Sequence, residues 1–222
     1  MDFELARTKM VDNQIRTTDV TSHPVLEAFL SVAREDFVPG DVRALAYIDD
    51  DIRISDGGDG QIDRYLMEPS PLAKLLQLAD VKKSDVVLEI GCGTGYVSAL
   101  LSLLADSVVA LESDTALAEQ AGETLSKLGY DNVAVVTGTL ADGFKPEAPY
   151  DVIFIGGAVE ELPHGLFDQL RNGGRLVVVE GHGNASKANL YVRDGGNTSA
   201  RRGFNTSVKP LPGFEKEAAF EF

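Results

Sequence analysis

Val86-Val87-Leu88-Glu89-Ile90-Gly91-Cys92-Gly93-Thr94-Gly95-Tyr96 is the stretch whose reading decides the fold. Its first five residues carry a single polar side chain, so they read as a strand buried on both faces, as parallel strands beneath helices are. Gly91, Gly93 and Gly95 follow at once, and Val97, Leu100, Leu101 and Leu104 then recur near helical spacing. A strand that runs through a glycine-rich turn into a helix lets a ligand lie against bare backbone N–H groups. The next apolar run, Val108 to Leu111, ends in Glu112. A carboxylate at the tip of a neighbouring strand is placed to accept hydrogen bonds from both hydroxyls of a ribose. The stretch predicts a nucleoside-cofactor site.

The glycine spacing decides which cofactor. Dinucleotide folds use G-x-G-x-x-G, with pyrophosphate on the helix end and a third glycine for close packing. Here the pattern is G-x-G-x-G, and Tyr96 stands where that third glycine would be. Glu89 would repel a pyrophosphate and suits a cationic ligand, such as the amino group or sulfonium of S-adenosylmethionine. S-adenosylmethionine is therefore the expected cofactor and NAD the competitor. A bare structural turn would not explain two carboxylates placed around three glycines.

Length and composition bound the rest. A chain of 222 residues with 44% hydrophobic and 25% charged residues is one ordinary globular domain with appendages. No apolar run is long enough to span a membrane, and the Met1-Asp2-Phe3-Glu4 start lacks the basic and apolar regions of a signal peptide. The expected location is cytoplasmic, in keeping with Cys92 as the single cysteine. Between two glycines, Cys92 reads as a small residue that fits and not as a reactive thiol. A net charge of −15 argues against nucleic acid and anionic lipid as partners. His23, His164 and His182 are scattered, and no spacing resembles a metal site.

Taken in order, residues 1–40 read as two amphipathic helices, one from about Phe3 to Ile15 and one opened by Ser22-His23-Pro24. Residues 41–68 are poorest in pattern. They hold Asp49-Asp50-Asp51, a short alternation at Ile52-Arg53-Ile54, and the loop Ser55-Asp56-Gly57-Gly58-Asp59-Gly60. Such a segment reads as a substrate loop or lid, against a surface loop with no role; a calcium loop would need a different spacing and a terminal Glu. Pro69-Ser70-Pro71 opens a further helix. Beyond Glu112, Asp114 caps a helix that Gly129 stops. Val133–Val136, Tyr150–Ile155 and Leu176–Glu180 are the remaining core strands, with a helix expected over Leu162–Leu170. Residues 188–192 and 199–204 read as an antiparallel hairpin.

The alternation of strand and helix predicts an α/β fold with a mostly parallel sheet, helices on both faces, an N-terminal helical extension and a C-terminal antiparallel hairpin, and E-x-G-x-G-x-G with an acidic residue after the next strand is the pattern of a Rossmann-like class I methyltransferase. Residues 1–80 form the N-terminal helices and substrate loop. Residues 81–182 form the cofactor-binding core, and 183–222 complete the same domain. Gly91–Gly95, Glu112, Gly138–Leu140 and Gly156–Gly157 would converge at the carboxyl ends of the strands, where ligands of such sheets bind.

Along almost its full length the chain resembles protein-L-isoaspartate O-methyltransferases. The resemblance is carried by Met10-Val11-Asp12-Asn13-Gln14, Val25-Leu26-Glu27-Ala28-Phe29, Asp36-Phe37-Val38-Pro39 and Val87-Leu88-Glu89-Ile90-Gly91, then by Leu128-Gly129-Tyr130-Asp131-Asn132-Val133, Ala148-Pro149-Tyr150-Asp151, Leu162-Pro163 and Gly173-Gly174-Arg175. The N-terminal pieces are the most specific. The resemblance implies methyl transfer to the α-carboxylate of an isoaspartyl residue, a protein-repair reaction, with an isoaspartyl protein or peptide as partner. Such a carboxylate is ionised at neutral pH and attacks without a general base.

Two departures stand out. The family's Thr-Ile-Ser-Gln-Pro, whose hydroxyls hold the substrate, is matched by Tyr65-Leu66-Met67-Glu68-Pro69, so the serine becomes Met67 and the threonine Tyr65. The family's Gly-Asp-Gly, whose Asp reaches the adenine amino group, is Gly138-Thr139-Leu140. The candidate catalytic residues are accordingly Arg64, Tyr65 and Ser70, with Arg64 the best anion fork. The candidate cofactor residues are Glu89, Gly91, Cys92, Gly93, Gly95, Glu112, Ser113, Thr139, Leu140 and Gly156. A diverged methyltransferase with a small-molecule acceptor, and a non-catalytic cofactor-binding protein, are the competing readings. The sequence is compatible with a monomer or a dimer.

Overall fold

The structure is a computed structural model that describes residues 1–57, 62–181 and 183–216, the side chain of Asn184 apart. Gly58, Asp59 and Gly60 of the expected loop, and His182, lie outside the described residues. Seven strands make the main sheet: β3 (Val86–Ile90), β4 (Ser107–Glu112), β5 (Val133–Thr137), β6 (Tyr150–Val159), β7 (Leu170–Glu180), β8 (Lys187–Asp194) and β9 (Asn197–Asn205). Their order is β5-β4-β3-β6-β7-β8-β9. The first five are parallel to one another, and the β8–β9 hairpin adds to β7 antiparallel. The chain leaves the central β3 toward β4 and β5, then returns to β3's other side as β6. Strand ends diverge at such a reversal and open a crevice at their carboxyl tips.

Side chains alternate across the sheet as the period of two requires. Val87, Val108, Ala110, Val152 and Phe154 face one buried cluster, and Leu88, Ile90, Val109, Leu111 and Ile153 face the other. On the first face lie the α-helices α1 (Phe3–Met10), α2 (His23–Ser31), α3 (Pro69–Ala79), α4 (Tyr96–Ser102) and α5 (Thr115–Lys127), which contribute Met10, Phe29, Leu72, Leu100 and Leu125 to its core. The second face is covered by 3₁₀ turns, at Leu140–Asp142 and His164–Gln169, and by Leu211 and Phe214. The helix expected over Leu162–Leu170 is thus a 3₁₀ segment, and Leu170 already belongs to β7.

Local chemistry explains the element ends. Asp114 accepts from the N–H groups of Ala116 and Leu117 and caps α5, and Gly129 ends it at φ +79°. Ser22 precedes α2, with Pro24 in the first turn, but its hydroxyl caps nothing. Its backbone N–H, and that of Thr21, donate instead to Oε1 of Gln77 on α3. The first helix is α-helical to Met10 and continues as a π turn over Val11–Ile15. Within 41–68 there is regular structure after all: β1 (Ile52–Ser55) pairs antiparallel with β2 (Arg64–Leu66).

Candidate active site

The glycine-rich turn is tied to the next strand tip. Gly91 and Cys92 donate to the Leu111 carbonyl at 2.9 and 3.2 Å, and Gly93 donates its N–H to Oε2 of Glu112 at 2.8 Å. Gly91, Gly93 and Gly95 have φ of +83°, +56° and +93°, a region that side chains with a Cβ disfavour. From behind, the Thr94 hydroxyl donates to the Phe37 carbonyl at 2.6 Å. Tyr96, fully buried, packs its ring against Phe29 and Phe37 and beneath the Arg34 guanidinium. The N-terminal helices therefore form the back wall of the turn, which is why Tyr96 replaces a third glycine there.

Glu112 is fully buried and accepts an unusual number of hydrogen bonds. The N–H groups of Ser113 and Asp114 donate to Oε1 at 2.8 and 3.1 Å, and Gly93 holds Oε2. Across the turn, Arg64 of β2 closes a two-pronged ion pair, Nη1 to Oε1 at 2.5 Å and Nη2 to Oε2 at 2.8 Å. Burial alone would push the carboxyl group up; the hydrogen bonds and charge of Arg64, with the N–H groups of Asp114 and Gly93, outweigh it and hold Glu112 below the usual carboxylate range.

Glu89 behaves in the opposite way. It points to the helical face beneath the turn, where Ser98 of α4 donates its hydroxyl to Oε2 at 2.5 Å, while Oε1 has no partner among the described residues. Burial pushes it up to about 8, the Ser98 hydrogen bond works against that shift, and the charge of Glu112 adds to it. Burial raises the Cys92 thiol well above its ordinary value, as an unreactive packing residue requires.

At the neighbouring strand tip, a Cβ on Gly156 would meet the Gly91 carbonyl oxygen at 3.1 Å, so only glycine lets β3 and β6 approach this closely. Ser113 lines a cavity of about 530 Å³ together with Ser55, Arg64, Asp114 and Thr115. Thr139 is exposed just beyond β5, and Leu140 is buried in the core of the second face; neither lines that cavity. A cleft of only about 10 Å³, room for one water, is lined by Asp51, Arg64, Tyr65, Met67, Gly156 and Lys209. Arg64 and Tyr65 therefore come together at the strand tips, with the Lys209 ammonium 5.1 Å from the Tyr65 ring centroid. Ser70, half-buried in the first turn of α3, is not among the residues lining this cleft.

These residues fit S-adenosylmethionine. The Oε1 of buried Glu89, which has no partner among the described residues, can take a cationic donor, the three glycines hold the turn at positive φ, and the Glu112 carboxylate stands at the tip of the adjacent strand.

Comparison with known proteins agrees with this geometry. The sequence profile of the protein-L-isoaspartate(D-aspartate) O-methyltransferase family matches residues 5–214. The chain belongs to this family. Protein-L-isoaspartate O-methyltransferases of Koribacter versatilis and Opitutus terrae are 38% and 39% identical to it over 179 and 183 residues, in each case 81% of this chain and 78% and 76% of the relative. A solved protein-L-isoaspartate O-methyltransferase superposes with a TM-score of 0.81 at 29% identity, covering 93% of this chain and 66% of that one. A Plasmodium falciparum structure described as a protein-L-isoaspartate O-methyltransferase in complex with S-adenosyl-L-homocysteine shares the fold, with a TM-score of 0.77 at 20% identity over 92% of this chain and 97% of that one. Membership of the family makes the chain an S-adenosylmethionine-dependent methyltransferase of class I fold.

Sequence reasoning left out part of this family site. Ile54 of β1 and Leu211 cover the turn: a Cβ on Gly93 would meet Ile54 Cδ1, and one on Gly91 would meet Leu211 Cδ2, each at 2.7 Å. Leu211 is brought there by a bridge of Pro210 to Ala158 in a proline-rich segment with no strand pattern. Ile54 had a trace, the alternation Ile52-Arg53-Ile54, but nothing in it named the partner. Among the described residues no helix is long and apolar enough to cross a membrane.

Proposed function

We propose that the chain methylates the α-carboxylate of isoaspartyl residues in proteins or peptides, the first step of their repair. The observation that carries this reading is the family match over residues 5–214, which includes the N-terminal wall behind Tyr96 as well as the cofactor turn. S-adenosylmethionine supplies an electrophilic methyl group on a sulfonium. Glu89, the glycine turn, Glu112, Ser113 and Gly156 bind and orient it. Arg64 and Tyr65 orient the acceptor carboxylate, with Ser70 in the adjoining turn. No residue need remove a proton, because the acceptor is ionised at neutral pH. The chain's contribution is alignment and exclusion of water by Ile54, Met67 and Leu211. The chain would work in the cytoplasm, as a monomer or a dimer.

Transfer of labelled methyl to an isoaspartyl peptide, with the aspartyl peptide as control, tests this reading. Base-labile label on the isoaspartyl peptide alone is expected. A second reading is favoured by Met67, buried where the family pattern has a serine: a rebuilt acceptor cleft that takes another carboxylate, including one on a small molecule. Cofactor-dependent transfer to such an acceptor, with isoaspartyl peptides left unlabelled, would select it.

A further inference from the structure

The Glu112 carboxylate is placed to hold a ribose, and its capacity is already spent. Two oxygens offer about four lone-pair directions. Three backbone N–H groups, the Ser113 hydroxyl at 3.3 Å and both prongs of Arg64 already exceed them. The backbone donors belong to the glycine turn and to the two residues that follow β4, and the main chain fixes their places. Arg64 is a side chain on a three-residue strand and can leave. It also lines both spaces at once, the larger cavity beside Ser113 and Thr115 and the cleft beside Tyr65, Met67 and Lys209.

We propose that Arg64 and the cofactor's ribose hydroxyls are alternative partners of Glu112, and that donor binding turns the released guanidinium into the seat of the acceptor carboxylate. The proposal rests on the reading of this site as the S-adenosylmethionine site. Each displacement is matched in kind: the diol donates two hydrogen bonds to Glu112 in place of the guanidinium, and the acceptor carboxylate gives Arg64 a new bidentate anion. A buried guanidinium without an anion is costly, so donor and acceptor favour each other's binding. Met67, which has no hydroxyl where the family pattern has a serine, then need not grip the acceptor itself.

Calorimetric titration of the full chain with S-adenosylhomocysteine and with an isoaspartyl peptide, singly and together, tests the exchange. In the wild type each ligand is expected to tighten the other about tenfold. In Arg64→Met, S-adenosylhomocysteine should bind about tenfold tighter than to the wild type, because its competitor is gone, and the coupling to peptide should vanish. Arg53→Met, on the neighbouring strand with its ion pair at Asp63, should leave both unchanged. Equal or weaker S-adenosylhomocysteine binding to a folded Arg64→Met overturns the exchange, as does peptide affinity in the wild type that ignores S-adenosylhomocysteine. If Arg64→Met does not fold, the wild-type coupling decides alone. A wild type that binds S-adenosylhomocysteine but no isoaspartyl peptide removes that acceptor, and the affinity of Arg64→Met then decides. A wild type that binds no S-adenosylhomocysteine removes the cofactor reading itself.

Discussion

The hydroxyl of Ser98 donates to Oε2 of Glu89 at 2.5 Å, and this is the one hydrogen bond that the buried carboxyl group receives among the described residues. Glu89 sits on β3 directly under the glycine turn, and Ser98 sits in the first turns of α4, so the contact joins the two halves of the cofactor motif. A single neutral donor does not compensate an ionised carboxylate for the loss of water. Burial therefore favours the neutral form of Glu89 and pushes its pKa up to about 8.

Stability should fall as pH rises from about 4.5 to about 8. Over that window the unfolded chain loses the Glu89 proton and the folded chain keeps it, so rising pH favours unfolding. Urea unfolding at a series of pH values checks this, with Glu89→Gln expected to remove most of the slope. A wild-type slope that Glu89→Gln leaves intact would assign the proton to another group.

Binding of S-adenosylmethionine at pH 7 should release close to one proton. The cationic amino and sulfonium groups favour the ionised carboxylate and draw its pKa below neutrality. Titration in buffers of different ionisation enthalpy reads the proton directly, and Glu89→Gln should release none. Identical heats in all buffers would place Glu89 away from the ligand's charge.

How much of this was legible follows from which interactions are local. The parallel core, its glycine turn and the cap at Asp114 were readable because strand burial, positive φ and capping are set by neighbours in sequence. The carboxylate at Glu112 was readable as a position. Its partner was not: Arg64 lies in a segment of weak pattern, and its meeting with Glu112 depends on how the short β1–β2 ribbon folds over the turn. Arg34 was likewise invisible, since a charged residue after a helix reads as solvent-facing, whereas here it is fully buried. The 3₁₀ form of His164–Gln169 was missed because its apolar spacing fits either helix type over so short a run.

Arg34→Met should destabilise the chain by about 2 kcal/mol, roughly one for each carbonyl hydrogen bond lost. The guanidinium donates to the carbonyls of Ala46 and Met67 at 2.7 and 2.8 Å and lies 4.9 Å from the centroid of the Tyr96 ring. It thereby fastens the segment that precedes α3 to the residue behind the glycine turn. Chemical denaturation gives the loss of stability, and the Michaelis constant for the acceptor should rise with it. A variant of unchanged stability would mean that Met67 and Ala46 find other donors.

Gly156→Ala should impair cofactor binding without touching any ligand group. Its Cβ would meet the carbonyl oxygens of Gly91 and Ile90 at 3.1 and 3.4 Å, and these belong to the glycine turn and the strand that feeds it. Backbone cannot yield as a flexible side chain does, so β3 and β6 must part at their tips, beside the glycine turn. A loss of affinity for S-adenosylhomocysteine of about tenfold, or ~1.4 kcal/mol, is expected. Gly122→Ala, where a Cβ would meet nothing within 4 Å, serves as the control and should bind as the wild type does.

Met67→Ser should separate stability from activity. The Met67 side chain is 5% exposed, so the smaller residue leaves a cavity and should cost about 2–4 kcal/mol of stability. Its backbone carbonyl stays fixed by Arg34, which keeps the new hydroxyl on the wall of the cleft beside Tyr65 and Gly156, where the proposed function seats the acceptor. A hydroxyl there can donate to the acceptor carboxylate, the role that the resemblance implies for the serine of the family pattern. One such hydrogen bond to a charged group, made as the carboxylate aligns with the methyl, is worth about tenfold in kcat/KM for an isoaspartyl peptide. The expected result is a chain that melts earlier and turns over faster. If activity falls in step with stability, Met67 is itself part of a cleft shaped for a different acceptor, and the rebuilt segment serves that acceptor in its present form.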